Sequence, residues 1–203
     1  MKKMIALHNF NHVNKKSFLF LKALLVKYKL VIRFIITFLL VYTVLSVSYK
    51  FYLQFSDGSK YYPDFMTHLV AKQSEAILNS FNYNAKVLPH ADEPSMKLIV
   101  NNLYIARVIE GCNSISIIIL FISFIIAFAS KLKTTFFYIL SGSVLIYTVN
   151  LIRIVLLTIG LYHYPHQKEV FHSVIFPAII YGMVFLLWIF WVNRFSKLKK
   201  GNE

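Results

Sequence analysis

Three residues of this 203-residue chain stand where polar side chains are costly: Cys112, Arg153 and His172, each at or near the end of a long apolar run. Titratable groups at membrane depth are functional candidates by default. A thiol, a guanidinium and an imidazole supply a nucleophile, an electrostatic stabiliser and a base, the set that acyl transfer needs. In that chemistry His172 takes the Cys112 proton and the thiolate attacks a peptide carbonyl. Arg153 stabilises the developing oxyanion, and the acceptor of the thioacyl group decides between hydrolysis and transfer. Each residue also has a plainer use. A buried cysteine behaves as a small hydrophobe, and an arginine near a span end can snorkel or pair with Glu110 or Glu169. His163 and His166 lie near His172, and any of the three histidines could be the base or a structural group.

The set works only if the chain brings its members to one depth. About 20 apolar helical residues cross a bilayer core, and four runs approach that length. They predict an all-α polytopic membrane protein with about four transmembrane helices, roughly 30–53, 112–130, 134–161 and 171–193. Cys112 opens the second span and His172 the fourth, both from the outer end. Arg153 lies nineteen residues after Thr134, about 28 Å up a span that starts inside. Helical spacing also predicts two polar stripes, Ser143, Tyr147, Asn150 and Arg153 on the third span and Cys112, Ser116 and Ser123 on the second. Such stripes face a bundle interior, where serine and asparagine often serve as interhelical glue. Trp188 and Trp191 sit where an aromatic belt is expected.

Composition agrees: 58% of residues are apolar, 15% charged, and the net charge is +14. Soluble domains carry about a quarter charged residues, and a disordered basic nucleic-acid binder would be less apolar. The bases mark topology instead. The stretch through Arg33, at the start of the first span, holds Lys2, Lys3, Lys15, Lys16, Lys22, Lys27, Lys29 and Arg33, Lys131 and Lys133 link the second span to the third, and Arg194, Lys197, Lys199 and Lys200 lie in the tail. Between Lys50 and Glu110 bases and acids balance, so both termini are expected in the cytoplasm and the site near the outer face. Phe18 to Tyr28 fits an interfacial helix on anionic lipid and equally a solvated tail that only sets topology. One cysteine excludes an internal disulfide or a cysteine-based metal site, and no phosphate-binding loop or repeat is present. No metal, cofactor or nucleic acid is expected.

The units are then a basic segment 1–29, the first span, an extracytoplasmic segment 54–110, a catalytic three-helix core 111–193 and a basic tail 194–203. The outer segment is expected to be a small α+β unit packed on the helices. Pro63 can start a helix in which Phe65, Leu69, Ala76, Ile77 and Phe81 recur near helical spacing. Met96–Val100 and Leu103–Ile109 read as strands about a tight Asn101-Asn102 turn.

The segments Val108-Ile109-Glu110-Gly111-Cys112-Asn113-Ser114-Ile115, Asn150-Leu151-Ile152-Arg153-Ile154 and Phe171-His172 together resemble, in order and membrane context, the exosortase and archaeosortase family of membrane cysteine transpeptidases. The likeness covers roughly residues 100 to 195. The short length and Tyr162-His163-Tyr164-Pro165 are most similar to the compact exosortase F-type of Bacteroidetes. The resemblance implies cleavage of a C-terminal sorting signal on an exported protein and transfer of the new end to a lipid or other surface acceptor. It assigns Cys112 as nucleophile, Arg153 as oxyanion or substrate stabiliser and His172 as base, in a bacterial inner membrane. Many relatives carry glycine where this chain has Ser114, and many are longer. Two other readings remain open: a non-catalytic scaffold or accessory subunit of an export system, and a peptidase whose thioester is resolved by water. Transport fits less well, since no hydropathy halves repeat.

Overall fold

The computed structural model describes residues 26–56, 61–128, 131–167, 170 and 174–195. In chain order the elements are α1 (Lys29–Ser56), α2 (Phe65–Ser80), β1 (Ala85–Pro89), β2 (Ser95–Val100), β3 (Leu103–Ile109), a 3-10 turn (Glu110–Cys112), α3 (Ile115–Ala127), α4 (Leu132–His163), a second 3-10 turn (Pro165–Gln167) and α5 (Phe176–Arg194). The protein is mostly helical with one small antiparallel sheet, as the sequence predicts. The Phe18–Tyr28 segment lies outside the described residues up to residue 25.

Among the described residues, three helices are long and apolar enough to cross a membrane: α1, α4 and the stretch Pro177–Arg194 of α5. The run expected to span 112–130 forms a helix of only 13 residues, Ile115–Ala127, about 20 Å against a core of about 30 Å. Its start is set by Ser114, whose φ of 66° is left-handed and cannot continue a helix. Asn113 Oδ1 accepts the Ile115 amide at 3.0 Å and caps the new helix. Cys112 therefore sits in the 3-10 turn and not on α3, so the helical stripe expected for Cys112, Ser116 and Ser123 does not exist. Ser116 is exposed, and Ser123 Oγ donates to the Ile119 carbonyl of its own helix at 2.7 Å.

In the membrane bundle α1 runs antiparallel to α3. Phe34 stacks on Phe128 with centroids 4.2 Å apart, while Tyr49, four turns up, meets Asn113. Phe121, Ile125, Ile146, Val184 and Trp191 form the bundle core. Gly142 is needed there, because a Cβ would enter the Phe121 ring. Trp191 is fully buried, against the belt expectation, and its Nε1 donates to the Phe128 carbonyl at 3.2 Å. The end of α3 leaves carbonyls without helical partners, and the indole serves one of them. Trp188 likewise packs inward, stacked on Phe124 at 4.4 Å.

α4 has 32 residues, about 48 Å, so it outruns the bilayer and becomes the spine of the head. Ile154 and Val155 of its upper half share a second core with Val70, Leu78, Val87, Leu98 and Val100 from α2 and the sheet. Tyr147 Oη donates to Gln73 Oε1 at 2.6 Å, and Asn101 Nδ2 donates to Tyr162 Oη at 3.1 Å. α2 begins one residue after Asp64, whose Oδ1 accepts the amides of Met66 and Thr67 at 2.9 and 3.0 Å. Pro63 thus precedes the cap and does not start the helix. The buried face is Thr67, Val70, Ala71, Ser74 and Leu78, whereas Phe65 and Phe81 are exposed at the ends. Small residues on that face allow close approach to α4 and the sheet.

The sheet order is β1-β2-β3, both pairs antiparallel. Asn101 and Asn102, with φ of 48° and 67°, make the tight primed hairpin turn that their sequence predicts. The strand β1 is an addition to the sequence reading. Its lysine and terminal proline weaken the strand pattern, and Pro is tolerated because β1 is an edge.

Candidate active site

The turn that carries Cys112 lies where the two cores meet. Cys112 is half-buried and packs against the head core, as do Tyr147 and Leu151 of α4. Its carbonyl accepts from Asn150 Nδ2 at 2.7 Å. Asn150, with 1% of its surface exposed, in turn accepts through Oδ1 from Arg153 Nη1 at 3.3 Å. One buried amide thus ties the cysteine main chain to the guanidinium. The spacing of three residues puts Asn150 and Arg153 on one face of α4, and the tie to Cys112 comes from the approach of the turn.

Arg153 is half-buried, and its Nε is buried with no partner among the described residues. No acid pairs with it among those residues, so the expected alternative of an ion pair with Glu110 is not formed; Glu169 lies outside the described residues. A guanidinium held on one side by Asn150, which also binds the Cys112 carbonyl, has donors left for a carbonyl or oxyanion.

Glu110 opens the turn two residues before the cysteine. Its carboxyl is raised above the usual carboxylate value, first by partial desolvation and then by the Asp64 charge. Asn113 pins the other side of the turn: its Nδ2 donates to Tyr49 Oη at 2.7 Å and to Thr67 Oγ1 at 3.2 Å. The turn is therefore fastened to α1, α2 and α4 at once. Ser114 occupies a left-handed position, φ 66°, where glycine would cost least.

His172 lies outside the described residues. The described chain resumes into α5, which runs parallel to α3: Phe124 stacks on Trp188 and Phe128 meets Trp191. Helix α5 begins at Phe176, four residues after His172 in the chain. Of the other histidines, His163 is exposed and its Nε2 meets Tyr83 Oη at 3.1 Å. It stands ten residues, about 15 Å, up α4 from Arg153. His166 is exposed in the second 3-10 turn. No group of three or more metal-ligating side chains occurs among the described residues.

The residue that sequence reasoning left out of the set is Asn150. Its signal was present, in the polar stripe and in its spacing from Arg153. Its use as a bridge rather than as helix glue depends on a contact across 38 residues.

The fold is that of a helical membrane protein whose longest span carries a small α+β head. A family model described as transmembrane exosortase (Exosortase_EpsH) matches residues 17–192, and the chain belongs to that family. No curated protein and no solved structure matches it significantly.

Proposed function

We propose that the protein is a membrane-embedded cysteine peptidase and transpeptidase, similar to the compact F-type exosortases, that cleaves a C-terminal sorting signal of exported proteins. The observation that carries this reading is the Asn150 bridge, which holds Cys112 and Arg153 together at the seam of the two cores. His172 accepts the Cys112 proton, and the thiolate adds to the scissile carbonyl while Arg153 donates to the oxyanion. Collapse expels the amine of the departing segment, which takes the proton from His172. A lipid or other surface nucleophile then attacks the thioester and regenerates the thiol.

A fourth crossing at α3, a cytoplasmic location of both termini and an outward-facing site complete the proposal. Lys131 and Lys133 lie at the end of α3 and α4 opposite the head, and Arg33 and Arg194 lie near the same end, beside Phe34 and Trp191. Bases gathered at the end away from the head support the orientation.

The test compares exported proteins in cells carrying the wild type, Cys112→Ala, Arg153→Ala and His172→Ala. Loss of C-terminal processing in all three variants is expected. Full processing in Cys112→Ala refutes the reading and leaves a scaffold. Mass analysis of the new C-terminus separates a free carboxylate, the product of water, from an added lipid or amine.

A further inference from the structure

A sheet edge offers unpaired main-chain groups to any extended chain, and proteins ordinarily blunt such edges. The two edges here are treated differently. On β1, Asn79 caps the outer groups of Ala85, accepting its N–H at 2.6 Å and donating to its C=O at 3.0 Å. Pro89 removes a further donor from the same edge. The β3 edge has neither device. Apart from the Ile109 carbonyl, which accepts the first bond of the 3-10 turn that follows, no hydrogen bond outside the ladder with β2 reaches a β3 main-chain atom among the described residues.

The ladder parity identifies the free groups. The His90 N–H donates to the Ser95 carbonyl at 2.9 Å, so residues 95, 97 and 99 of β2 bond to β1, and Met96, Leu98 and Val100 bond to β3. Their register partners Val108, Ala106 and Leu103 are therefore engaged. The N–H and C=O of Arg107 and the N–H of Ile109 point away from the sheet and are free, the two residues about 7 Å apart along the strand. Arg107 and Ile109 are exposed, while Val108 between them is buried against the head core.

This edge leads straight to the site. Ile109 is followed by the 3-10 turn Glu110–Cys112, in which each residue advances about 2 Å. Cys112 thus lies about 6 Å past Ile109, the last residue with a free N–H, the length of two residues of an extended chain.

We propose that the free edge of β3 is the substrate-docking strand: an extended C-terminal segment of an exported protein adds to it as a fourth strand, with its scissile carbonyl about two residues beyond the residue paired with Ile109. Main-chain pairing of this kind recognises an extended peptide with little demand on its side chains. The proposal rests on the peptidase reading above. The exported body of the substrate lies on the head side and its C-terminal end at the seam, so the added strand runs parallel to β3.

The experiment uses the full chain in its native membrane. Benzoylphenylalanine replaces Arg107, Ile109 or, as a control on the capped edge, Leu88, each in the Cys112→Ala background, and cross-linked peptides are mapped by mass spectrometry. Cross-links from 107 and 109 but not from 88 are expected. They should fall on the N-terminal side of the cleavage site, in exported proteins that accumulate unprocessed in Cys112→Ala cells. In the catalytically intact chain, Arg107→Pro removes only an outward N–H, since Ala106 and Val108 carry the β2 ladder, and processing should fall at least tenfold below that of Arg107→Ala. Accumulated precursor with equal cross-linking at 88 and 107, or equal processing in Arg107→Pro and Arg107→Ala, overturns the docking strand and leaves the cysteine chemistry standing. Absence of any accumulated precursor in Cys112→Ala overturns the peptidase reading itself, and the docking strand with it.

Discussion

Replacing Asn150 by alanine removes a side chain that hydrogen-bonds both the Cys112 carbonyl and Arg153. Two hydrogen bonds go, at 2.7 and 3.3 Å, the second of them to a charged donor. A neutral bond contributes about 1 kcal/mol net and one to a charged group about 1.5–3 kcal/mol, with a further cost when a buried partner is left unsatisfied. The expected loss of stability in Asn150→Ala is therefore about 2–4 kcal/mol, read by thermal or denaturant unfolding in detergent. The effect on processing should be larger than stability alone explains. A displacement of about 1 Å at a reacting centre costs about a hundredfold in rate, about 2.7 kcal/mol of activation free energy. Asn150→Asp separates the two effects. The introduced carboxylate still accepts from Arg153, so most stability is retained, but at neutral pH it has no donor for the Cys112 carbonyl. Protonation restores a donor, so processing by Asn150→Asp relative to the wild type at the same pH should rise as pH falls toward about 4, while loss of the His172 base lowers both proteins alike. Within a double-mutant cycle, Asn150→Ala and Arg153→Ala should couple by about 1–3 kcal/mol. Stability unchanged to within about 0.5 kcal/mol, together with wild-type processing in Asn150→Ala, refutes the bridge.

Ser114 tests the backbone of the same turn: its φ of 66° should make Ser114→Gly tolerated, while Ser114→Val, branched at Cβ in a left-handed position, loses about 2 kcal/mol by thermal unfolding. Glu110 tests the local field. A carboxyl whose folded value is raised favours folding when protonated, and that contribution is present below the unfolded value of about 4.3 and lost as pH rises through the folded one. Glu110→Gln should therefore raise the melting temperature relative to wild type at pH 7 and lose that advantage near pH 4; an equal difference at both pH values removes Glu110 from the account.

Most of the chain's gross plan was readable in its residue order. Apolar run length is a local property, and it located α1, α4 and α5 because a bilayer sets one length for every span. The Asn101-Asn102 turn was legible for a similar reason, since few residue pairs accept two positive φ values. Cys112 and Arg153 also stood out locally, as polar groups next to apolar runs. What the chain order did not contain was the consequence of packing. The second apolar run becomes a helix of 13 residues because Asn113, fastened to α1 and α2, and left-handed Ser114 stop it from beginning at the cysteine. Trp191 turns inward because the carbonyl it serves lies 63 residues away. Asn150 reads from sequence as one member of a polar stripe, and becomes the bridge only when the turn after β3 is laid against α4. Polarity, apolar length and turn preference are carried by neighbours in the chain. Hydrogen-bond partners across tens of residues exist only once the head and the bundle have closed on the same helix.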